Sequence, residues 1–547
     1  MTNSLRKQGS VRLSFCGLIL LTACAAVTAQ TKDVVTYHND LRRSGLNSKE
    51  AILTTSNVKS STFGKLFVFP VDGKIDAQPL YLSTLSIPGN GTHNVIYTVT
   101  ENDTVYAFDA DTGTSLWHQS LLPSGESPSG DHGCGQISPQ IGITSTPVID
   151  RASGPNGTIY VVAMSRNSSN NYFQRIHALD VTNGQEEFGG PVAVQAQYPN
   201  KNGFVTFDPT QYAERQGLLL QNHVILTAWT SHCDQNPYTG WIIGYNESTL
   251  AQTSVLNVTP NGSEGSIWQS GAGMASDGSN IYFLDANGTF DTQLNTRGFP
   301  ILGDFGNGFV KVSTSKTGKL FVADYFNMFN TVAESNMDED LGSGGALLLP
   351  PMIDANGITR RLVMAAGKDS NIYIVERGNM GKFNPSSNHI YQEIDNALSG
   401  GIWSMPAYFN GSVYYGSVGN HLLQFQFSQA RLSTAPVSKS ANTFGYPGST
   451  PSVSANGTTN GIVWAIEHSG PDVLHAFDAT NLANELYNSN QASSGRDQFG
   501  NASHFGTPTI INGKVYVGTD NSVAVFGLLG GEGAATGYRN PAQRPSR

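Results

Sequence analysis

Charge is what this chain has least of. Asp, Glu, Lys and Arg make up 13% of its 547 residues, about half of the roughly 25% usual in globular domains, which argues against the charged faces of helical bundles. The 31 basic residues are outnumbered by 41 acidic ones, for a net charge of -10. That is the wrong sign for gripping a phosphate backbone, so nucleic acid is not an expected partner. Cysteine is scarce at four residues, too few for a disulfide-framed scaffold. The absence of C-x-x-C-H excludes a covalently attached haem. No run beyond the N-terminus approaches the ~20 apolar residues of a membrane span, and no long stretch repeats its apolar residues at the helical period. What is abundant is glycine, at 60 residues, with 39% hydrophobic content, enough to bury a large core and to rule out wholesale disorder.

The N-terminus reads as an export signal. Arg6, Lys7 and Arg12 precede the apolar run LSFCGLILLTACAAVTA, which is the order of a secretory signal peptide. Val27 and Ala29 supply the small residues for cleavage after Ala29, while Leu21-Thr22-Ala23-Cys24 resembles a lipobox that would make Cys24 a lipidated first residue. A secreted or periplasmic protein is predicted, with a lipid anchor at Cys24 as the alternative. Outside the signal only Cys134 and Cys233 remain. They read as a disulfide between two loops, as a metal site with His132 and His232, or as free thiols.

From residue 60 onward, short apolar runs alternate with Gly, Asn, Asp and Pro clusters, an all-β pattern. The clearest unit is HNVIYTVTENDTVYAFDADTGTSLW at 93–117, and it returns at 158–188 and 462–487. Weaker copies bring the total to about eight. Each is introduced by a short strand near Gly or Pro, such as AQPLYL, ITSTPVID and GTPTIIN. Four-stranded units at this spacing predict a β-propeller of about eight blades. The last unit has three clear strands and GKLFVFPV at 64–71 is a spare one, so an N-terminal strand is expected to close the ring. The predicted divisions are a signal peptide at 1–29, an N-terminal segment at 30–60, the propeller at 61–530 and a disordered Gly- and Pro-rich tail at 531–547.

Ala107-Phe-Asp109-Ala-Asp-Thr112-Gly113-Thr-Ser-Leu-Trp117 resembles the tryptophan-docking motif of the quinoprotein alcohol dehydrogenase-like superfamily, whose propellers also have eight blades. The chain as a whole is similar to PQQ-like repeat propellers of an exported bacterial branch. The resemblance implies a tryptophan packed between blades and, in the family's enzymes, pyrroloquinoline quinone (PQQ) above a ring of adjacent cysteines, with calcium and an aspartate base. This sequence has no vicinal cysteine pair, and no Glu, Asn and Asp trio stands out as a calcium site.

The residues that open each blade face the central channel. That places Gln78, Thr144, Arg215, Trp268, Gln269 and Trp403 there, together with Asp76, Ser145, Gln216, Ser404 and His504. Trp268 and Trp403 sit in mirrored segments, GSIWQSGAG and GGIWSMPAY, and suit either stacking on a flat cofactor or sugar ring or plain packing between blades. With Gln78, Thr144 and Gln269 they form the candidate cofactor-binding set. Arg215 suits paired oxygens and His504 suits proton transfer near neutral pH, so these two are the catalytic candidates; a salt bridge and a local hydrogen bond are the structural readings. Tyr37-His38-Asn39-Asp40 with Arg42 and Arg43 would cap the channel or anchor the N-terminal segment.

The expected function is a secreted quinoprotein-like propeller that binds a small molecule or glycan in its funnel, with no certain cofactor; a redox role using PQQ with calcium is a further reading, against which the missing cysteine ring counts. The alternatives are a carbohydrate-active enzyme such as a polysaccharide lyase and a non-catalytic scaffold of the cell envelope. Mass spectrometry of the mature N-terminus separates two of the outcomes: Gln30 is expected for soluble export, and an acylated Cys24 would establish the lipoprotein.

Overall fold

A computed structural model describes residues 33–530 together with Met1 and Thr2. The signal peptide, its cleavage site, Cys24 and the tail at 531–547 lie outside the described residues. Among the described residues the strands form eight antiparallel blades around one axis. The first runs outward through Leu80–Ile87, Gly91–Val99, Thr104–Asp109 and Ser115–Ser120. The next six begin with inner strands at Val148–Asp150, Leu219–Gln221, Ala275–Ser276, Leu347–Leu348, Ala407–Phe409 and Ser452–Asn456. The eighth contains Thr509–Ile511, Lys514–Gly518 and Ser522–Leu528, and its outer strand is Phe63–Pro70, paired antiparallel so that Phe63 faces Leu528. The ring closes with the spare strand read from the sequence, which ties the two ends of the domain together.

The apolar residues of the strands pack between neighbouring blades. The tryptophan motif shows how that packing is registered. Asp109 Oδ1 accepts from the backbone N–H of Asp111 at 2.9 Å and of Thr112 at 2.7 Å, which shapes the turn before Trp117. Trp117 Nε1 then donates to the Val181 carbonyl of the next blade at 3.0 Å. Its ring covers Gly184, where φ is +72° and a Cβ would fall 2.7 Å from the indole. Only glycine suits both the backbone and the contact. At the closing seam Phe67 and Phe69 take the corresponding place against Gly113.

The N-terminal segment fills the axis. Six inner strands bond to its backbone: Tyr81 exchanges hydrogen bonds with Val34, and the N–H groups of Ile149, Ser276, Leu348, Tyr408 and Val453 donate to Val35, Leu41, Arg42, Ser44 and Gly45. The other two are reached by side chains. Arg43 Nη2 donates to Leu218 at 3.5 Å, and Asn47 Nδ2 to Ile510 at 2.9 Å. Arg43 is fully buried, and it also donates to Met274 O, Thr36 Oγ1 and Tyr37 O at 2.7–2.9 Å. The polar cluster at 37–43 is therefore the anchor of the segment. Replacing Arg43 by Met strands these buried acceptors, and a loss of about 3 kcal/mol or more is expected in denaturant unfolding; a change within about 0.5 kcal/mol, the usual range for a surface site, would contradict this role.

Candidate functional site

Above this plug lies a cavity of about 440 Å³. Arg215, Trp268 and Trp403 line it together, as the channel-facing pattern predicted. Arg215 Nη1 donates to the Thr144 carbonyl at 2.9 Å, whereas its Nε and Nη2 are buried without partners. The guanidinium lies 5.6 Å from the Phe505 ring, and Phe505 meets Trp268 edge-on at 6.1 Å. Trp403 is edge-on to Tyr446 at 5.9 Å.

The other candidates are placed elsewhere. Gln78 is buried in the hub, accepting from His38 N–H at 2.7 Å and donating to Thr509 Oγ1 at 3.0 Å. Thr144 Oγ1 donates to the Glu214 carbonyl at 2.9 Å. Gln269 Oε1 accepts from Leu284 N–H at 2.9 Å, behind Trp268. All three have their polar groups committed to protein partners and none lines the cavity. His504 opens onto a neighbouring side pocket instead.

The site contains groups that the sequence reading passed over. Asp340 is buried, with Oδ1 2.7 Å from Lys368 Nζ and Oδ2 unpartnered. Burial pushes its carboxyl up to about 6 against the opposing pull of Lys368. Lys368 also pairs with Asp338 and lies 5.8 Å from the Trp403 ring. Asn287 Nδ2 donates to Asp338 at 2.6 Å, leaving Oδ1 unpartnered. The signal available was Asp338-Glu339-Asp340, a dense acidic run in a charge-poor chain.

Cys134 and Cys233 form a disulfide in the cavity wall, with Cα atoms 5.5 Å apart. This leaves no thiolates for the zinc-type alternative. His132 and His232 stack beside it at 3.9 Å and 2°. Burial, with His132 second, pushes His232 down to about 4, so the stack is uncharged at neutral pH. His132, Cys233, Asp234, Gln269, Ser270 and Asp338 have left-handed backbone, with φ between 44° and 59°, as do turn residues elsewhere along the chain. Non-glycine residues held there cost energy.

The chain matches no protein-family model and no curated protein by sequence. Solved structures share its fold. The quinohemoprotein alcohol dehydrogenase of Comamonas testosteroni matches with a TM-score of 0.60 and 14% identity over 94% of this chain and 82% of that one. The quinohemoprotein alcohol dehydrogenase ADHIIG of Pseudomonas putida HK5 gives 0.59 and 14% over the same shares. A europium-containing methanol dehydrogenase gives 0.61 and 12% over 91% and 98%. The chain thus has the eight-bladed propeller fold of the quinoprotein alcohol dehydrogenases.

The disulfide closes a loop between residues 99 apart. Replacing both cysteines by Ala is expected to cost about 2–4 kcal/mol, read as a lower unfolding midpoint, and an unchanged midpoint would contradict a structural role for the cavity wall.

Proposed function

We propose that the cavity binds a planar, anionic quinone of the PQQ type and oxidises an alcohol or a sugar hydroxyl. The observation that carries this is one cavity, on this fold, lined together by Trp268, Arg215, Lys368 and Asp340, whose Oδ2 has no hydrogen-bond partner. Trp268 would stack on the quinone. The open guanidinium nitrogens of Arg215, with Lys368, would meet its oxygens. When bound, the quinone supplies a two-electron acceptor. Asp340 would take the proton of the substrate hydroxyl, since a carboxylate with a pKa near 6 is charged at neutral pH yet basic enough for the task.

Calcium fits less well. Asn287 Oδ1 and Asp340 Oδ2 are unpartnered oxygens at the cavity, but no group of three His, Cys, Asp or Glu among the described residues could hold a metal. A calcium ion takes six to eight oxygens, so most would have to come from elsewhere, and no step is derived through it. The lyase reading asks Arg215 and His504 to act on one sugar, yet they line different cavities. Export remains part of the proposal through the N-terminal signal, and no helix among the described residues is long and apolar enough to cross a membrane.

Adding PQQ, with and without calcium, is expected to produce a saturable rise in thermal stability and a shift in cofactor absorbance, both lost in Trp268→Ala. No shift in the intact protein under either condition would sink the quinone reading.

Asp340→Asn is expected to bind the quinone and lose roughly 10²–10⁴ in turnover. The wild-type kcat/KM should fall as the pH drops through about 6, where Asp340 takes up its proton. The stability effect has the opposite sense. A buried carboxyl with a raised folded pKa stabilises the fold only at acid pH, and that contribution is lost as pH rises through about 6. Asp340→Asn should therefore not lower the melting temperature at neutral pH, and a large loss there would make Asp340 structural.

A further inference from the structure

In each blade the turn between the second and third strands lies at the same end of the ring as the connection into the next blade. In the last two blades those turns carry His468, Asp472 and Asp520, and the connections beside them carry Lys74, Tyr446, Asn501 and His504. These residues line the side pocket, of about 310 Å³. Tyr446 lines both this pocket and the main cavity. Its ring is edge-on to Trp403 of the main cavity at 5.9 Å and to His504 of the side pocket at 6.1 Å. Its hydroxyl donates to Gln136 Oε1 at 2.8 Å. Gln136 lines the main cavity close to the disulfide-bonded Cys134, so a tethered loop holds Tyr446 between the two spaces.

The side pocket is polar, but most of its charge is already engaged. Asp472 Oδ2 accepts from His468 Nδ1 at 2.8 Å and Ala502 N–H at 2.9 Å, and Oδ1 from the N–H groups of Ser469 and Gly470 at 3.2 and 3.4 Å. Lys74 Nζ lies 3.7 Å from Glu101 Oε1. Asp520 is exposed and meets Asn501 Nδ2 at 3.5 Å; an exposed carboxylate holds an ion weakly in water. An ionic ligand of either sign therefore has little to gain here. What is left is neutral hydrogen bonding. Among the described residues no hydrogen bond uses the ring nitrogens of His504, Nε2 of His468 or the side-chain carbonyl of Asn501. Hydroxyl groups, which donate and accept, answer to such a mixture, and the flat faces of Tyr446 and His504 suit the C–H face of a sugar ring. At about 310 Å³ the pocket is at the lower end of the roughly 300–1,000 Å³ of small-molecule sites, and its polar lining offers nothing to an alkyl chain.

We propose that the side pocket is a subsite for the second ring of a neutral disaccharide or longer glycan, whose first ring lies in the main cavity, and that Tyr446 between them sets the preference over monosaccharides and simple alcohols. The first ring is the one that presents its hydroxyl to Asp340, so the inference rests on the oxidative reading of the main cavity and narrows its substrate. Asn501, His504 and Asp520 supply hydrogen bonds to the second ring. Tyr446 takes no part in the oxidation; it stacks where the chain passes from one space to the other.

Isothermal titration, with and without PQQ, of glucose, galactose, mannose and xylose against their α- and β-linked disaccharides tests this. Two or three hydrogen bonds are worth roughly tenfold or more in affinity, and at least one disaccharide is expected to exceed its monosaccharide by that factor. The advantage should disappear when Asn501→Ala and His504→Ala are combined, at two exposed positions where folding tolerates change. It should also disappear in Tyr446→Ala and largely return in Tyr446→Phe, which keeps the ring. Quinone binding with no disaccharide preferred, or with the preference intact in both the double variant and Tyr446→Ala, would overturn the subsite alone. A disaccharide preference in a protein that does not bind the quinone would overturn the oxidative reading, and with it the place of this pocket beside a reacting hydroxyl.

Discussion

The structure depends on the segment from Val34 to Asn47 that fills the axis of the ring. A propeller blade has one neighbour on each side, so closing the ring still leaves eight inner strands facing a channel with unpaired backbone groups. Here those groups find partners in the N-terminal segment, blade after blade, with Arg43 at the centre donating to several carbonyls at once. A buried guanidinium is costly unless all its donors are used, so the segment fits this channel only with its neighbours in register. The same segment supports the cavity. Tyr37 packs against Gly217, and Arg43 against Gly273, on either side of the turn that carries Trp268 and Gly271.

A second constraint follows from the scarcity of charge. A chain with so few ionisable residues has placed many of them in or near the channel: Asp76, Glu101, Glu214, Arg215, Asp285, Asp340 and Lys368 are all largely removed from water. Several carry unpartnered oxygens or nitrogens. Burial pushes Glu214 up to about 8 and Asp285 well above the usual carboxylate range. Uncompensated polar groups of this kind are expensive. Three of these ionisable residues, Arg215, Asp340 and Lys368, line one cavity together with the disulfide and Trp268.

Much of the fold was legible because propeller blades are local. The alternation of strands, the turn residues and the motif ending at Trp117 each specify a single blade, and eight of them fit together in only one simple way. The site was legible in part. Arg215, Trp268 and Trp403 reach the cavity as expected. Gln78, Thr144 and Gln269 do not, because they lie in irregular segments ahead of the inner strands, where their side chains bond to protein partners instead: His38 N–H and Thr509 for Gln78, the Glu214 carbonyl for Thr144 and Leu284 N–H for Gln269. His504 sits one residue before Phe505, and it is Phe505 that faces the main cavity.

Asp340, Lys368 and Asn287 were not legible, since they come from loops after different strands and nothing in their spacing announces that they meet. The sequence by itself determined the repeating unit, the closure of the ring and the pairing of its ends, all of which follow from hydrophobic period and turn chemistry within short windows. Tertiary structure alone decided which blade ends converge on one cavity, which polar side chains spend their hydrogen bonds on the hub and which carboxyls lose contact with water. Those outcomes depend on the rotation of each blade about a common axis and on the dielectric it encloses, and neither is a property of any local stretch of chain.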